Sequence, residues 1–421
     1  MVAIPSPETN SPCPDVPVRR LKVLILCSHV VPYASPLFRH LAQDPRVEIL
    51  VAYCSLRGAE RSRDPEFGVE VQWDEPLLDG YPWVEVSKKG PWPNVGSLFG
   101  LWNSRLWTLI RGGSFNAVVI YTGYMCAAFW QAALAAKSCG IPVVISSDST
   151  VLQPRDQARW KRPIKPFILG SVYRSVDVLM AGSPAAAQLA TRLGMPQERI
   201  MVIRSGADKD AWIARAQKSH PLAIRASWNV PPHAPVVFYC GKLQPWKRPL
   251  DLLRAFAIAN VAGAYLVLAG DGALRKELEE EARHLNLQER VRLLGFVNVS
   301  QLAGFYKAAD LFVLCSDYDQ CPLVVPEAMF SGIPVILSDA VLGRRDMINE
   351  GQSGYSYPCG DVAALAAILR KVLSDPALLD RLKAGVRRQM ESWTMAEFLD
   401  CWVGAIEIAH RRKSTSGGGT S

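Results

Sequence analysis

The sequence predicts an α/β protein with two parallel sheets in series. Short apolar strands alternate with helical stretches from Lys22 onward, the alternation is interrupted once, and it then restarts. Strands that are apolar along their whole length are typical of parallel sheets covered by helices on both faces. The length of 421 residues also suits two to three domains, at roughly 150 residues per domain.

The predicted strands form two groups of five. They lie at 23–27, 48–53, 117–121, 142–146 and 176–180 in the first half, and at 236–240, 265–269, 291–294, 311–314 and 334–337 in the second. Helical stretches of about 10 to 15 residues separate the second group. We therefore expect two Rossmann-like domains that face each other across a cleft, where the carboxyl ends of the strands bind ligands.

Composition shifts place the domain boundaries. We predict a first domain at 21–205, a second domain at 236–392, and a linker at 206–235, where the prolines are Pro221, Pro231, Pro232 and Pro235. Residues 393–413 are amphipathic and predict a C-terminal helix. The proline-rich residues 1–20 lack the apolar core of a signal peptide and predict a disordered lead-in, and the Gly/Ser-rich residues 414–421 predict a flexible tail.

Charge and cysteine content limit the classes of ligand and partner that we expect the chain to bind. Lys and Arg total 47 against 39 Asp and Glu, and the net charge of +8 is spread along the chain. This balance favours a phosphate-rich ligand or an anionic membrane surface, and it does not indicate nucleic-acid binding. The ten cysteines include no C-x-x-C pair, so we expect reduced thiols, no zinc site and a cytoplasmic protein.

One uncharged stretch is long enough to cross a membrane. Residues 115–136 carry no charge, but they divide into a β-rich run ending at Tyr121 and an alanine-rich stretch from Met125. A buried strand followed by a helix explains this pattern better than a membrane span.

Two common nucleotide motifs are missing. The first predicted strand is followed by Cys27-Ser-His-Val-Val-Pro-Tyr33 instead of G-x-G-x-x-G, and no G-x-x-x-x-G-K-[ST] sequence occurs. Dinucleotide-dependent hydride transfer and P-loop nucleotide hydrolysis are therefore not expected.

The loop after the first strand of the second domain suits a diphosphate. The sequence Gly241-Lys-Leu-Gln-Pro-Trp-Lys-Arg-Pro249 places the ammonium groups of Lys242 and Lys247 around a strand-to-helix loop. Gly241 permits close approach of the backbone, and Pro249 suits the start of a helix, whose positive end attracts anions. A solvated basic loop is the alternative for these residues alone.

A second loop carries two carboxylates beside a helix start. Pro322 can open a helix, so the amides of Leu323 and Val324 are available to a phosphate. Glu327 suits the paired hydroxyls of a ribose, and Asp319 suits a hydroxyl of a bound sugar. Taken singly, each residue is better explained by a structural role, Asp319 as a helix-start carboxylate and Glu327 as a solvated helix residue.

Together these residues resemble a known family. Asp319 and Glu327, followed by Ala328-Met-Phe-Ser-Gly-Ile-Pro334, resemble the E-x(7)-E element of retaining GT-B glycosyltransferases of family four, also called glycosyl transferases group 1. Further elements of the second domain match the family in the same order: Gly241-Lys-Leu with Lys247, the glycine-rich turn at 268–274, and Leu294-Gly-Phe-Val297. The first domain matches more loosely, at Phe67-Gly and Trp73-Asp. Asp319, Lys242 and Ser205 depart from the commonest residues of the family.

The resemblance implies a fold and an activity. The fold would be GT-B, with the C-terminal helix packing back toward the first domain. The enzyme would be a hexosyltransferase that moves a sugar from a nucleoside-diphosphate sugar to a glycan or lipid-linked acceptor, with retention and without metal or cofactor, in surface polysaccharide or glycoconjugate biosynthesis. The implied catalytic residues are Lys242, Lys247 and Asp319, and the implied donor-binding residues are Gly241, Phe296, Val297, Leu323, Val324 and Glu327.

Several alternatives stay open at this point. Asp317-Tyr-Asp319 spells D-x-D, the metal-binding signature of the other major glycosyltransferase architecture. A sugar-nucleotide epimerase, a phosphorylase or a non-catalytic nucleotide-sugar-binding protein would share the cleft. His29 follows the first strand and is either catalytic or a structural hydrogen-bonding residue.

The first domain is expected to hold the acceptor and to meet a membrane. Basic and aromatic residues occur together at 98–111 and 155–174, including Trp102, Lys165 and Phe167. This mixture suits peripheral attachment to an anionic inner membrane face, with ordinary surface helices as the alternative.

Overall fold

A computed structural model describes residues 20–64, 66–86, 101–152, 161–203, 208–320 and 322–416. The first domain contains the strands β1 (Leu21–Cys27), β2 (Val47–Tyr53), β3 (Ser62–Arg63), β4 (Glu70–Val71), β5 (Trp83–Glu85), β6 (Ala117–Tyr121), β7 (Val143–Ser147), β8 (Val178–Ala181) and β9 (Ile200–Val202). Seven of them form a parallel sheet in the order β5-β2-β1-β6-β7-β8-β9, while β3 and β4 form an antiparallel hairpin.

The second domain is built on a parallel sheet of its own. Its strands are β10 (Val236–Cys240), β11 (Tyr265–Ala269), β12 (Val291–Gly295), β13 (Leu311–Leu314), β14 (Val335–Ser338) and β15 (Gly354–Tyr357). Their order is β12-β11-β10-β13-β14-β15, so the strand order reverses between β10 and β13. Ligands of open α/β sheets bind at such reversal points, beyond the carboxyl ends of the strands. The predicted fold class is confirmed.

Helices cover both sheets. Those between the first-domain strands are α1 (Ser35–Gln43), α2 (Ser104–Gly112), α3 (Ala127–Ser138), α4 (Lys161–Ser175) and α5 (Pro184–Arg192). Those that follow are α6 (Lys209–Lys218), α7 (Pro221–Ser227), α8 (Pro249–Ala259), α9 (Arg275–His284), α10 (Val299–Ala308), α11 (Val324–Phe330), α12 (Arg344–Met347), α13 (Val362–Leu373), α14 (Pro376–Glu391) and α15 (Met395–Ser416).

Strand β1 shows why the apolar runs form sheets with two buried faces. Successive side chains of a strand point to opposite faces. Leu24 and Leu26 accordingly pack in one core with residues of α2 and α3, while Val23 and Ile25 pack in the other core with residues of α1 and α15. A strand that is covered on both sides needs an apolar residue at every position, which is the pattern that the sequence shows.

The last helix completes the first domain. In α15, Trp402, Val403 and Ile406 are fully buried, and they share a core with Val23 and Ile25 of β1. The expected packing of the C-terminal helix toward the first domain is confirmed. The side of the first sheet opposite α2 and α3 is therefore closed by residues from the far end of the chain.

The segment expected to be a linker contains two helices where it is described. Helices α6 and α7 both contact α10, and Trp212 and Trp228 are buried in the core of the second domain. The prolines lie at the ends of these elements: Pro221 is the first residue of α7, and Pro231, Pro232 and Pro235 precede β10. The domain boundaries themselves stay a prediction.

The sequence patterns missed the shortest strands. Strands β5 and β9 and the hairpin β3–β4 are two or three residues long, too short for apolar periodicity to show. Strand β15 was missed because its sequence, Gly-Tyr-Ser-Tyr, is not an apolar run. The uncharged stretch at 115–136 forms β6 and α3. Within the described ranges, no helix is both long and apolar enough to cross a membrane.

Candidate active site

A cleft of about 920 Å³ lies between the two domains. Its volume is within the range of about 300–1,000 Å³ that small-molecule sites occupy. Every residue that the sequence singled out as catalytic or donor-binding lines this cleft: Gly241, Lys242, Lys247, Phe296, Val297, Asp319, Leu323, Val324 and Glu327. The structure thus brings the nine residues together, and their individual roles stay predictions.

Lys247 and Asp319 form an ion pair across the reversal point of the second sheet. Lys247 lies in the loop after β10, Asp319 lies in the loop after β13, and the Lys247 ammonium donates to the Asp319 carboxylate. Both side chains are largely buried, with exposed fractions of 21% and 14%. The sequence predicted separate contacts with the donor for these two residues, whereas in this structure each is the partner of the other.

Lys242 is held by the first domain. Its Nζ lies 2.5 Å from Oε2 of Glu66 and 3.6 Å from Oδ1 of Asp64. The same ammonium lies 4.9 Å from the centre of the Phe67 ring. Sequence reasoning missed these partners, because an acidic turn 176 residues before Lys242 has no local signal that pairs it with a lysine.

The turn that holds Lys242 is fixed by its own backbone. Oδ1 of Asp64 accepts hydrogen bonds from the amides of Glu66 and Phe67, at 2.8 and 2.9 Å. Desolvation acts to raise the pKa of Asp64, but these amides and the positive charges of Lys242 and Arg57 outweigh it and lower that pKa. Asp64 therefore stays ionised beside the lysine.

Residues 62–64 and 66–75 of the first domain, here called the bridging segment, cross the cleft to the second domain. Phe67 and Trp73 both meet Phe296 edge to face, with ring centres 5.3 and 5.5 Å apart. The side chain of Gln244 donates to the carbonyl of Glu66. The bridging segment thus covers the loop that the sequence predicted to face the nucleotide base.

The far end of the bridging segment is also bonded to the second domain. The Asp74 carboxylate accepts from the hydroxyl of Ser300, and the Asn298 side chain donates to the carbonyl of Gln72 over 2.7 Å. Arg215 and Glu75 form an ion pair of 2.7 Å. These contacts connect the two domains across the cleft.

Glu327 lies at the beginning of α11 and faces the cleft. The Tyr306 hydroxyl donates to its Oε2 over 3.3 Å. Desolvation by the surrounding protein raises the pKa of Glu327 to about 8, against the opposing effects of the Tyr306 hydrogen bond and the Arg215 charge. Leu323 and Val324 stand at the first turn of the same helix, where backbone N–H groups have no partner within the helix. Burial thus favours the protonated, neutral form of the Glu327 carboxyl.

A glycine allows the loops after β10 and β11 to touch. Gly270, at the end of β11, has a φ of +146°, and a Cβ there would lie 1.9 Å from the carbonyl oxygen of Gly241. The loops after β10 and β11 consequently pack backbone against backbone. The glycine-rich turn that the sequence showed at 268–274 thus supports the loop that contains Lys242.

His29 lines the cleft, whereas only one of the two aspartates of the D-x-D sequence does. His29 lines the cleft, and its Nδ1 lies 2.9 Å from the Ser28 hydroxyl. Desolvation and the nearby Arg57 charge lower the pKa of His29, which favours the neutral form of its imidazole. Asp319 lines the cleft but Asp317 does not. Among the residues that the structure describes, no group of three or more His, Cys, Asp or Glu side chains could hold a metal ion.

The raised pKa of Glu327 predicts a pH-dependent stability. The folded chain keeps a proton on Glu327 up to about pH 8, whereas the unfolded carboxyl loses it near pH 4.5. Between these values the folded state binds more protons, so this group makes the protein less stable as pH rises. Glu327→Gln does not titrate, so its melting temperature relative to wild type should rise between about pH 5 and pH 8 in thermal denaturation.

Glu280→Gln supplies the control, because Glu280 is an exposed acid on α9 outside the cleft. Its melting temperature should follow that of wild type over the same pH range. A Glu327→Gln difference that is constant with pH would show that Glu327 is ionised in the folded protein.

Two family models match the chain. The one described as Glycosyl transferases group 1 matches residues 222–389, and the one described as Glycosyl transferase 4-like domain matches residues 30–206. The matched regions correspond to the second and first domains and together contain most of the cleft residues.

Curated relatives are similar over part of their length. The lipopolysaccharide core biosynthesis glycosyltransferase LpsD of Rhizobium meliloti is 33% identical over 213 residues, which are 51% of this chain and 58% of LpsD. The chain therefore spans just over half the length of this curated relative.

Solved structures with the same fold cover almost the whole chain. Anabaena HepE in complex with UDP and glucose has a TM-score of 0.67 at 19% identity, and covers 94% of this chain and 100% of its own. The lipopolysaccharide outer core galactosyltransferase WaaB has a TM-score of 0.63 at 18% identity, with coverages of 92% and 99%. These solved structures show that the GT-B fold is shared. Because the two family models together match most of the chain, the chain belongs to the glycosyl transferases of group 1, the family-four type.

Proposed function

We propose that the chain transfers a hexose from a nucleoside-diphosphate sugar to a glycan or lipid-linked acceptor, with retention and without a metal ion. The observation that carries the proposal is the meeting of two lysines and the first turn of α11 in one cleft. A diphosphate at the reversal point of the sheet would take over the Lys242 and Lys247 ammonium groups from Glu66 and Asp319, and the helix start would add N–H donors.

The proposed chemistry places these groups on the leaving diphosphate. Cleavage of the glycosyl–phosphate bond creates negative charge on the departing diphosphate and positive charge at the anomeric carbon. The ammonium groups of Lys242 and Lys247 would stabilise the former, with the amides at Leu323 and Val324 as additional donors. For retention, we propose that the leaving phosphate removes the proton of the acceptor hydroxyl on the same face of the sugar. That step uses no side chain as a base.

The nucleoside would lie along the second domain. Glu327 has the two oxygens that paired ribose hydroxyls require, and Phe296 and Val297 would line the base pocket. HepE binds UDP and glucose, according to the description of its structure, which supports a nucleoside-diphosphate hexose as donor. LpsD and WaaB are described as lipopolysaccharide core enzymes, which supports a role in surface polysaccharide or glycoconjugate biosynthesis.

A donor panel tests the proposed function. The purified chain is incubated with uridine, guanosine and adenosine diphosphate sugars, with and without a chelator, and release of nucleoside diphosphate is measured. We expect one donor class to be hydrolysed slowly and equally well with chelator present. Loss of all turnover with chelator would contradict metal independence, and conversion of one intact sugar nucleotide into another would indicate an epimerase instead.

Substitutions in the cleft separate binding from transfer. Lys247→Ala should slow transfer by about several hundredfold, because one preorganised donor to the leaving group is lost. Glu327→Ala should weaken donor binding by about tenfold with a smaller effect on transfer, because it removes the ribose contact. Steady-state kinetics and calorimetry with the donor measure both effects.

Lys276→Ala is the control, since Lys276 is an exposed lysine of α9 outside the cleft, and it should behave as wild type. Normal turnover in both Lys247→Ala and Glu327→Ala would overturn the assignment of the site.

The contact between Glu66 and Lys242 predicts a gain of affinity. A diphosphate has to compete with the Glu66 carboxylate for the Lys242 ammonium, so Glu66→Gln should lower the dissociation constant of the nucleoside diphosphate several-fold. The gain should shrink at high salt, because salt screens partly exposed charges. Calorimetric titration at two salt concentrations measures it, with the exposed Glu60→Gln as control. Weaker binding by Glu66→Gln would show that Glu66 supports the ligand rather than opposing it.

We also propose peripheral attachment to an anionic membrane through α4. Ile164 and Phe167 are 43% and 73% exposed on this helix. Lys165 turns inward and donates to the carbonyl of Val151 over 3.0 Å, so the apolar side chains carry the proposal. The side chains of 160–162, which the sequence also placed at the membrane, lie outside the described residues.

Vesicle flotation checks this attachment. The full chain should float with phosphatidylglycerol vesicles, less with phosphatidylcholine vesicles, and Phe167→Ser should reduce flotation several-fold because it removes an apolar group from the interface. Leu222→Ser, at a residue of α7 that is 62% exposed, is the matched control. A wild-type chain that stays at the bottom of the gradient with both vesicle types rules out the attachment.

A further inference from the structure

A lysine and three aromatic rings contact one another in succession along the cleft. The Lys242 ammonium lies 4.9 Å from the centre of the Phe67 ring. The Phe67 ring is 5.3 Å from the Phe296 ring, which in turn is 5.5 Å from the Trp73 ring. All four side chains line the cleft. Phe67 and Trp73 belong to the bridging segment of the first domain, so the rings that meet here come from both domains.

The order of strands in the second sheet gives this succession a direction. Lys242 follows β10 and Phe296 follows β12, with β11 between these two strands. Neighbouring strands lie about 4.8 Å apart, so the ends of β10 and β12 are separated by about 10 Å. In a nucleoside diphosphate, the ribose separates the diphosphate from the base. A nucleotide with its diphosphate at Lys242 and its ribose toward β12 therefore brings its base to the three rings.

The surface beside the rings is apolar on both sides of the cleft. Val71 of the bridging segment and Val297 and Val299 of the second domain also line the cleft. The two rings of the first domain are half-buried, so they present part of their surface to the cleft. Nucleic-acid bases stack on aromatic side chains, and every base has a flat face that can do so. This wall thus suits the base of a nucleotide.

Contacts outside the cleft hold Trp73 in place. The carboxylate of the next residue, Asp74, accepts from the Ser300 hydroxyl and, over 3.3 Å, from the Ser300 amide. The Asp74 amide donates to Oδ1 of Asn298 over 3.2 Å. Asn298 is the N-cap residue of α10, and the positive end of a helix favours a carboxylate. Neither Asp74, Asn298 nor Ser300 lines the cleft, so a nucleotide bound there leaves these contacts intact.

We propose that Trp73 and Phe67 are donor-binding residues of the first domain, which hold the base of the nucleotide against Phe296. The proposal rests on the proposed function, because it takes the diphosphate to lie at Lys242. Asp74 is then a positioning residue, which touches no ligand but fixes Trp73 beside the start of α10. Stacking contacts of this kind add affinity for uracil, guanine and adenine alike.

Calorimetric titration of the full chain with UDP, GDP and ADP, and separately with inorganic pyrophosphate, tests the proposal. Trp73→Ala should raise the dissociation constant of each nucleoside diphosphate that wild type binds by about tenfold or more, which corresponds to about 1.4 kcal/mol or more. Pyrophosphate carries no base, so its dissociation constant should stay unchanged. Trp73→Phe keeps an aromatic ring and should recover most of the lost affinity.

Asp74→Ala tests the positioning role. It should weaken the binding of nucleoside diphosphates several-fold and leave the binding of pyrophosphate unchanged, because it loosens Trp73 without touching the lysines.

Two variants outside the cleft are the matched controls. Trp83→Ala removes a tryptophan of β5 that is 38% exposed, and Asp79→Ala removes an exposed acid of the first domain. Both should bind all four ligands as wild type does. Thermal denaturation confirms that each variant is folded.

The outcomes separate this proposal from the proposed function. Unchanged affinity of Trp73→Ala for every nucleoside diphosphate that wild type binds would overturn the proposal. An equal loss of affinity for pyrophosphate would overturn it as well, since Trp73 would then act on the diphosphate site and not on the base. Failure of wild type to bind any nucleoside diphosphate would contradict the proposed function itself, and with it the position from which the base is placed.

Discussion

Lys242 and Lys247 in the cleft are held in place by carboxylates from both domains, and part of the contact between the domains depends on this pairing. Lys247 is neutralised within the second domain by Asp319, and Lys242 is neutralised from the first domain by Glu66 and Asp64. Two unpaired ammonium groups close together would repel each other at a cost that grows as water is excluded. The carboxylates offset the charges of the two lysines and keep their ammonium groups in position.

The pairing also connects the domains. The bridging segment belongs to the first domain, but its polar groups and aromatic rings contact Lys242, Gln244, Phe296 and Asn298 of the second. A ligand that takes over one of these partners changes a contact between domains as well as a contact within the site. The donor site and the relative position of the domains are therefore linked by the same side chains.

The first domain also depends on a distant part of the chain, the C-terminal helix α15. Helix α15 buries Trp402 and Ile406 against the first sheet. Phe398 and Trp402 of the same helix form part of the wall of a cavity of about 420 Å³ in the first domain. The helix thus both completes a hydrophobic core and shapes a cavity beside the cleft. Its apolar face contributes stability through burial, and its aromatic residues give the cavity its chemical character.

The sequence by itself determined the two sheets, the loops that carry Lys242, Lys247, Asp319 and Glu327, and the family. These features are local: an apolar strand, a glycine or proline at a turn and a spacing of eight residues are all visible in a short stretch of chain. Tertiary structure alone decided which charges meet, because Glu66 and Lys242 are 176 residues apart. It likewise decided that Asp148 lines a cavity and that desolvation raises the pKa of Glu327. Burial and pairing depend on what surrounds a side chain in space, and strand and turn patterns do not record those surroundings.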